Sequence, residues 1–441
     1  MSREPAPSWS EFATRYWEKR PAVFGPPFGA ALTAHRDIFP ALVAAAEACR
    51  ARTLPNRHDV RLFIDHAQTL DPVPYLPQQA DGSLAAYGAR VSAALDGRPF
   101  TLIVTPFQVF SVPLWEEMRD FLGGAFDALG ALPAGAADAR LIVGTYTASP
   151  FGLHKDSAGV FTFVVEGHKR VLVWPFERLH HLTRDPDAPH KEIDLHGIDR
   201  EQFRESAIVL EGEPGDVLYW PSTYWHAVES RGGLHVTLHL SSYLNGQPAS
   251  SLARAAERLV SERLGREATQ EMYPLSSSRV PQGASHMPAG MSHALDVFKD
   301  LAGSSSLERH LRLTWLSRLT ASGFESVPAP DRVPVLREED VVQADAKHPI
   351  AWMSDGEHEI LCSANGHALI LPAHPHLPTM LARLNTGEAI RVGGLMRLTA
   401  GIAQAAGTTY ELSPDDVRTV LQKLCAIRGL RHRPRSASEA R

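Results

Sequence analysis

Cysteine is scarce in this chain, and long apolar runs are missing. Its 441 residues include three cysteines, Cys49, Cys362 and Cys425, far apart and odd in number. They form no CxxC pair, so neither a disulfide framework nor a zinc finger is expected, and a reducing cytoplasm fits best. No run of about 18 apolar residues occurs, and the opening MSREPAPSWSEF has no apolar segment of the kind that directs export. The expectation is a protein that is neither exported by that route nor membrane-spanning. A strong charge of one sign is also lacking: the formal net charge is −6. Nothing global therefore argues for a nucleic-acid partner.

What remains is ordinary globular material, 44% hydrophobic and 21% charged, and long enough for roughly three domains. The first hundred residues mix helix and strand. Ser8 opens a short helix that Arg20-Pro21 closes, and residues 36–50 form a second, alanine-rich one. DVRLFID at 59–65 alternates as a strand does. Leu102 to Thr105 reads as another strand and Leu114 to Leu129 as a helix.

From Arg140 the texture changes. LIVGTY, GVFTFVVEG, KRVLVWP, SAIVLE, DVLYWP and LHVTLHLSSYL follow one another between Gly, Pro and Asp, the pattern of an antiparallel sandwich or barrel. An insert at 176–206 carries His180, His181, His190 and His196 and reads as a polar surface loop. Residues 249–320 are helical, interrupted by the Ser/Gly/Pro/Met-rich PLSSSRVPQGASHMPAGM. After a Pro-rich linker at 328–330, short strands alternate with helices up to SPDDVRTVLQKLCAIRGL, which Ser413 caps. The last residues read as a disordered tail.

Two stretches carry chemistry, PFGLHKDSAGVFTFVVEGHKRVLVWP from 150 and GEPGDVLYWPSTYWHAVESRGGLHVTLHL from 212. His154 and Asp156 stand two apart at the mouth of a β-run and share one face of a strand, with Lys155 on the other. His226 follows the strand DVLYWP, where a barrel can return it to the same point. Two imidazoles and one carboxylate on one face of an octahedron leave three positions open, the non-haem Fe(II) arrangement. HxD alone is weak evidence. His35-Arg36-Asp37 is a second copy in a helical context, with no histidine on a strand to complete it, and reads as incidental.

GLHKD, VVEGHKRVLVWP and GDVLYWPSTYWHAV resemble the JmjC/cupin-type Fe(II)- and 2-oxoglutarate-dependent oxygenases. They resemble in particular the branch of ribosomal oxygenases and of the factor-inhibiting asparaginyl hydroxylase. The likeness covers about 140–244, and YWEKRP at 16–21 resembles the opening segment of the ribosomal-oxygenase branch. It implies a mainly β core, a double-stranded β-helix (jelly-roll, cupin) with an N-terminal α/β extension. Its domains would be an oxygenase domain over 1–248, a helical, dimer-forming segment over 249–328, a winged-helix-like domain over 329–435 and a tail at 436–441.

The resemblance further implies His154, Asp156 and His226 as ligands of Fe(II), with O₂ and 2-oxoglutarate as cosubstrates. Lys169, fifteen residues after His154, would take the distal carboxylate of 2-oxoglutarate; one branch has Lys at this place and the other Arg. Tyr146 would hydrogen-bond the cosubstrate, Phe151 would wall it, and His239 would stand behind the ligands. Each of these three fits barrel lining equally well. Tyr219, Trp220, Tyr224 and Trp225 read as packing of the barrel end. The substrate implied is a side chain in a protein or peptide, a ribosomal protein or a ribosomally made precursor peptide. The C-terminal module vaguely resembles the winged units that capture leader peptides and equally suits a purely structural role. Two other classes stay open, a cupin metal enzyme without oxygen chemistry and a catalytically silent winged-helix binding or regulatory protein.

Overall fold

The computed structural model describes residues 2–54, 59–184, 189, 191–195, 197–244, 248–264, 279–280, 283–284, 289–356, 359–397 and 413–434. His190, His196, most of the Ser/Gly/Pro/Met-rich stretch and the tail at 436–441 lie outside them. The chain divides into two compact units, one of residues 1–245 with 321–329, the other of 246–320 with 330–441.

In the first unit, helices α1 (Trp9–Arg15), α2 (Ala30–Thr33), α3 (Ile38–Arg50), α4 (Leu84–Ala94) and α5 (Val112–Leu129) accompany thirteen strands. These are β1 (Ala22–Phe24), β2 (Asp59–Ile64), β3 (Ala67–Gln68), β4 (Phe100–Thr105), β5 (Ala137–Gly144), β6 (His154–Lys155) and β7 (Ala158–Glu166). The rest are β8 (Lys169–Pro175), β9 (Ile193–Asp194), β10 (Ile208–Gly212), β11 (Val217–Trp220), β12 (Tyr224–Glu229) and β13 (His235–Tyr243). Eight of them form one antiparallel sheet in the order β1-β11-β7-β13-β5-β4-β2-β3, and five form another in the order β10-β8-β12-β6-β9.

Period-two alternation explains which face goes where. On β5, Ala137, Ala139, Leu141 and Val143 turn outward, as do Phe161 and Phe163 of β7 and Val236, Leu238 and Leu240 of β13. That face packs on Phe12, Leu42, Trp115, Met118 and Leu122 of the helices. Each such buried side chain contributes about 1.5–3 kcal/mol. The other face of the same strands turns inward: Ile142, Val160 and Val164 meet Val171, Val173 and Val228 of the five-stranded sheet. Polar residues of the same parity, Arg140, Thr162, Thr237 and His239, are thereby enclosed between the sheets.

The insert at 176–206 differs from the expected surface loop. It contains a helical turn α6 (Phe176–Leu179), the strand β9 and a 3₁₀ segment (Arg200–Ser206). Phe176, Leu179 and Leu195 pack with Leu172, Trp174 and Trp225 against the outer face of the five-stranded sheet. Only a few apolar residues do this, too few to give the segment a readable period.

The second unit begins with α7 (Pro248–Leu264), a short pair of strands β14 (Arg279–Val280) and β15 (Gly283–Ala284), α8 (Ala289–Ala302) and α9 (Ser305–Thr320). Residues 321–329 pack with the first unit, where the Ala137 N–H donates to Gly323 O at 2.9 Å. The helical segment expected up to 328 thus ends at Thr320. Beyond it lie β16 (Val341–Gln343), β17 (Ala351–Asp355), β18 (Glu359–Ala364), β19 (His367–Pro372), α10 (Leu377–Leu384), β20 (Ile390–Arg391), α11 (Pro414–Ala426) and β21 (Arg431–Arg433). They form two three-stranded sheets, β20-β16-β21 and β17-β18-β19. Ser413 caps α11 through a reciprocal box with Asp416. Arg309 of α9 joins this part by ion pairs to Asp355 at 2.6 Å and Glu359 at 2.7 Å. No helix among the described residues is long and apolar enough to cross a membrane.

Candidate metal centre and its pocket

The site begins with a turn. Gly152 takes a φ of +65°, a conformation open to glycine, and directs the chain into the two-residue strand β6. There His154 pairs directly with His226 of β12 on one side and Asp194 of β9 on the other. Two histidines 72 positions apart in sequence are thus brought side by side by backbone pairing, their ring centroids 4.1 Å apart. Asp156, two residues on, brings Oδ2 to 3.5 Å from His226 Nε2. One ligand atom from each of His154, Asp156 and His226 lies within 4.8 Å of the others, and among the described residues this is the one such group of three. His35 and Asp37 instead close a local turn, the Asp37 N–H donating to His35 Nδ1 at 3.1 Å.

The donor set suits a divalent cation. His154 Nδ1 faces Gly152 O at 3.3 Å, which as a donor leaves the Nε2 lone pair for the cleft. Burial pushes His226 down to about 3, so its imidazole is neutral and ready to coordinate. Burial opposes ionisation of Asp156, but His226, His154, Arg140 and Lys155 outweigh it and hold the carboxyl below its ordinary value. Lys155 points away from the pair, as alternation requires. It is not solvated: its ammonium is buried and donates to Lys191 O of the insert.

Lys169 lies in the same pocket. It is fully buried, its Nζ donates to Tyr146 Oη at 2.9 Å, and burial alone depresses it to about 7. Nearby His235 is also forced neutral, to about 3, first by burial and then by Lys169. Its Nε2 is buried without a hydrogen-bond partner. A buried ammonium with no compensating carboxylate is costly unless a ligand supplies the anion. One pocket is lined by all seven residues singled out in the sequence: Tyr146, Phe151, His154, Asp156, Lys169, His226 and His239. His239 Nε2 meets Thr237 Oγ1 at 3.2 Å, and Phe151 packs edge-on to Phe63 at 5.4 Å. The aromatic set divides: Tyr219 joins the outer core, Trp225 the insert's cluster, while Trp220 lies tilted against His226 at 5.1 Å inside the pocket.

Arg140, Thr101, Ser149 and Trp220 also line the pocket, and reading the sequence did not single out the first three. Glu18 was also missed, although YWEKRP contains it. Its carboxylate accepts from the Ser222 N–H at 3.0 Å and the Ser222 hydroxyl at 2.6 Å, and its own N–H donates to Tyr219 Oη at 2.9 Å. It thereby pins the turn between β11 and β12, four residues ahead of His226. Proximity of a conspicuous motif to a strand end was the available signal, but the partner is two hundred positions away.

Two outcomes follow from this geometry. Glu18→Ala frees the turn and weakens Co(II) or Zn(II) binding about tenfold, the effect of losing a group that orients ligands; calorimetric titration reads it, and unchanged affinity would remove Glu18 from that role. For Lys169 the folded pKa lies below the unfolded one, near 10.4, so the folded state holds fewer protons between the two. The penalty therefore grows as pH falls from about 10 to 7. Lys169→Met should stabilise the ligand-free protein by on the order of 1–3 kcal/mol at neutral pH, and by less at pH 10, in urea denaturation.

Residues 112–240 match the family model of the cupin-like domain. Among solved structures the chain is similar to the X-ray structure of Escherichia coli ycfD, with 15% identity and a TM-score of 0.46 over 96% of this chain and 98% of that one. The Escherichia coli ribosomal oxygenase YcfD in complex with cobalt and 2-oxoglutarate gives 15% identity and 0.45, over 97% and 99%. The same protein with cobalt and succinic acid gives 15% and 0.44, over 97% and 99%. The family match falls on the strands of the two antiparallel sheets that carry the site, so residues 112–240 are similar to a cupin-like domain.

Proposed function

We propose that this protein is an Fe(II)- and 2-oxoglutarate-dependent oxygenase that hydroxylates a side chain in a protein or peptide. The observation that carries this reading is the uncompensated Lys169 ammonium in the same pocket as the His154, Asp156 and His226 triad. A triad alone fits many cupin metal enzymes. A buried cation beside it calls for a second, anionic ligand, and a dicarboxylate that chelates an ion at one end satisfies both demands.

His154, Asp156 and His226 would hold the ion on one side only. Ferrous iron with 2-oxoglutarate supplies the oxidising power for inserting one oxygen atom of O₂ into a C–H bond, with succinate and carbon dioxide as co-products. Lys169 and the Tyr146 hydroxyl would receive the distal carboxylate, and its negative charge would restore Lys169 to full protonation. Phe151 and Trp220 would flank the bound molecules and limit water around them. Trp220 Nε1, buried without a hydrogen-bond partner, offers one further donor to an oxygen there.

The second unit suits a homodimer. On α8, Met291, Leu295 and Phe298 follow helical spacing at 46, 43 and 44% exposure, and Trp315 and Leu319 of α9 stand at 48 and 50%. Exposed apolar stripes of this kind are usual at interfaces between subunits. The part beyond residue 330 is read as winged-helix-like and as either a docking module for the substrate or a structural element. Three free thiols accord with a cytoplasmic setting.

Purified protein loaded with ferrous iron should release succinate from 2-oxoglutarate, faster with a peptide substrate that gains one oxygen atom by mass spectrometry. Asp156→Ala and Lys169→Met should each lower this turnover by at least about 100-fold. Turnover surviving Lys169→Met would point to a different cosubstrate; none in the intact protein, with peptide partners still bound by Asp156→Ala, would make it a binding module. Light scattering should give twice the chain mass, and Phe298→Glu should reduce it to one; a monomeric parent protein would remove the dimer.

A further inference from the structure

Inside the barrel, β5 presents a second cation that the cosubstrate does not need. Arg140 projects from the same inward face as Ile142 and stands opposite His239 of β13. Among the described residues its one side-chain hydrogen bond is from Nε to Thr105 Oγ1 at 3.3 Å. A guanidinium carries five N–H donors, so donors of this pocket-lining residue remain for which no acceptor is found among the described residues. Burial opposes its charge, but Asp138, Tyr243, Asp156 and Glu192 outweigh it and keep the group protonated. None of these carboxylates forms an ion pair with it.

His239 locates this group relative to the rest. Burial, followed by Lys169, Arg140 and His226, keeps its imidazole neutral. Lys169 of β8, Arg140 of β5 and His226 of β12 therefore all act on one side chain, each from its own strand. On the reading proposed above, both carboxylates of 2-oxoglutarate are already committed, one to the ion and one to Lys169. Arg140 is left over.

We propose that Arg140 is the substrate-selecting residue, and that it takes the side-chain carboxylate of an aspartyl or glutamyl residue in the peptide being hydroxylated. This inference rests on the oxygenase reading of the site. A planar fork of donors in a low-dielectric pocket matches a carboxylate bidentately and holds the methylene beside it near the triad. An arginyl or lysyl substrate would bring like charge against a desolvated guanidinium. Asp138, two residues back, does not reverse that preference: one of its oxygens is buried without a partner, burial lifts it to about 6, and it does not line the pocket.

The test uses the full-length iron-loaded protein with peptide pools of random flanks and one fixed central residue, Asp, Glu, Asn, Leu, Lys or Arg. Binding is read in parallel by anisotropy, with Zn(II) and the inert analogue N-oxalylglycine in the site. The Asp or Glu pool should bind best and stimulate succinate release most. Arg140→Gln should cost about 100-fold in kcat/KM on that pool, and Arg140→Glu should move the preference to Lys and Arg. N-oxalylglycine affinity should fall sharply in Lys169→Met and stay within threefold in Arg140→Gln. Loss of the analogue in Arg140→Gln would assign the guanidinium to the cosubstrate and overturn the proposal. A best pool of Arg, Lys, Leu or Asn, an order unchanged by Arg140 variants, or no pool bound would overturn it too. Those outcomes leave the oxygenase reading standing if 2-oxoglutarate is still consumed. Absence of both metal and analogue binding would instead sink that reading.

Discussion

One backbone pairing, His226 opposite His154, holds the centre together. β6 is two residues long and has no hydrophobic set of its own to fix its register. It is held instead by strands on both sides, β12 and β9. A slip of one residue would carry His154 and Asp156 to the opposite face and bring Lys155 in. Lys155 counters that slip from behind, because its buried ammonium is bound to Lys191 O and stands 5.9 Å over the Phe176 ring. The insert is therefore part of what sets the triad, although it contributes none of its three residues.

Burial then does the electrostatic work. The same enclosure that makes His226 and His239 neutral makes Lys169 reluctant to hold its proton. A neutral imidazole at His226 and a buried ammonium in want of an anion are thus two results of one desolvated interior. The protein carries this at a cost in stability, which is the usual condition of sites that recognise charged ligands.

Much of this was legible in the sequence wherever a local period carried it. HKD on a β-run put His154 and Asp156 on one face. LIVGTY and LHVTLHL were recognisable as strands of a sandwich or barrel, and the family resemblance marked Lys169. What stayed hidden depends on register between distant strands. Arg140 looks like a solvated residue at the start of a strand until His239 is placed opposite it. Glu18 looks like one charge among several in YWEKRP until its carboxylate is seen on Ser222. The insert was misread because six apolar residues spread over 176–206 are enough to dock the segment and too scattered to show a pattern.

The grip of Glu18 on Ser222 has a bearing on what counts as the working unit. The segment recognisable by family begins at residue 112, yet the carboxylate holding the His226 turn belongs to residue 18, and Phe12 and Tyr16 beside it are embedded in the common core. A protein trimmed to its recognisable portion would keep all three triad residues while losing the brace behind one of them. In this chain the boundary of sequence kinship and the boundary of mechanical integrity fall about ninety positions apart.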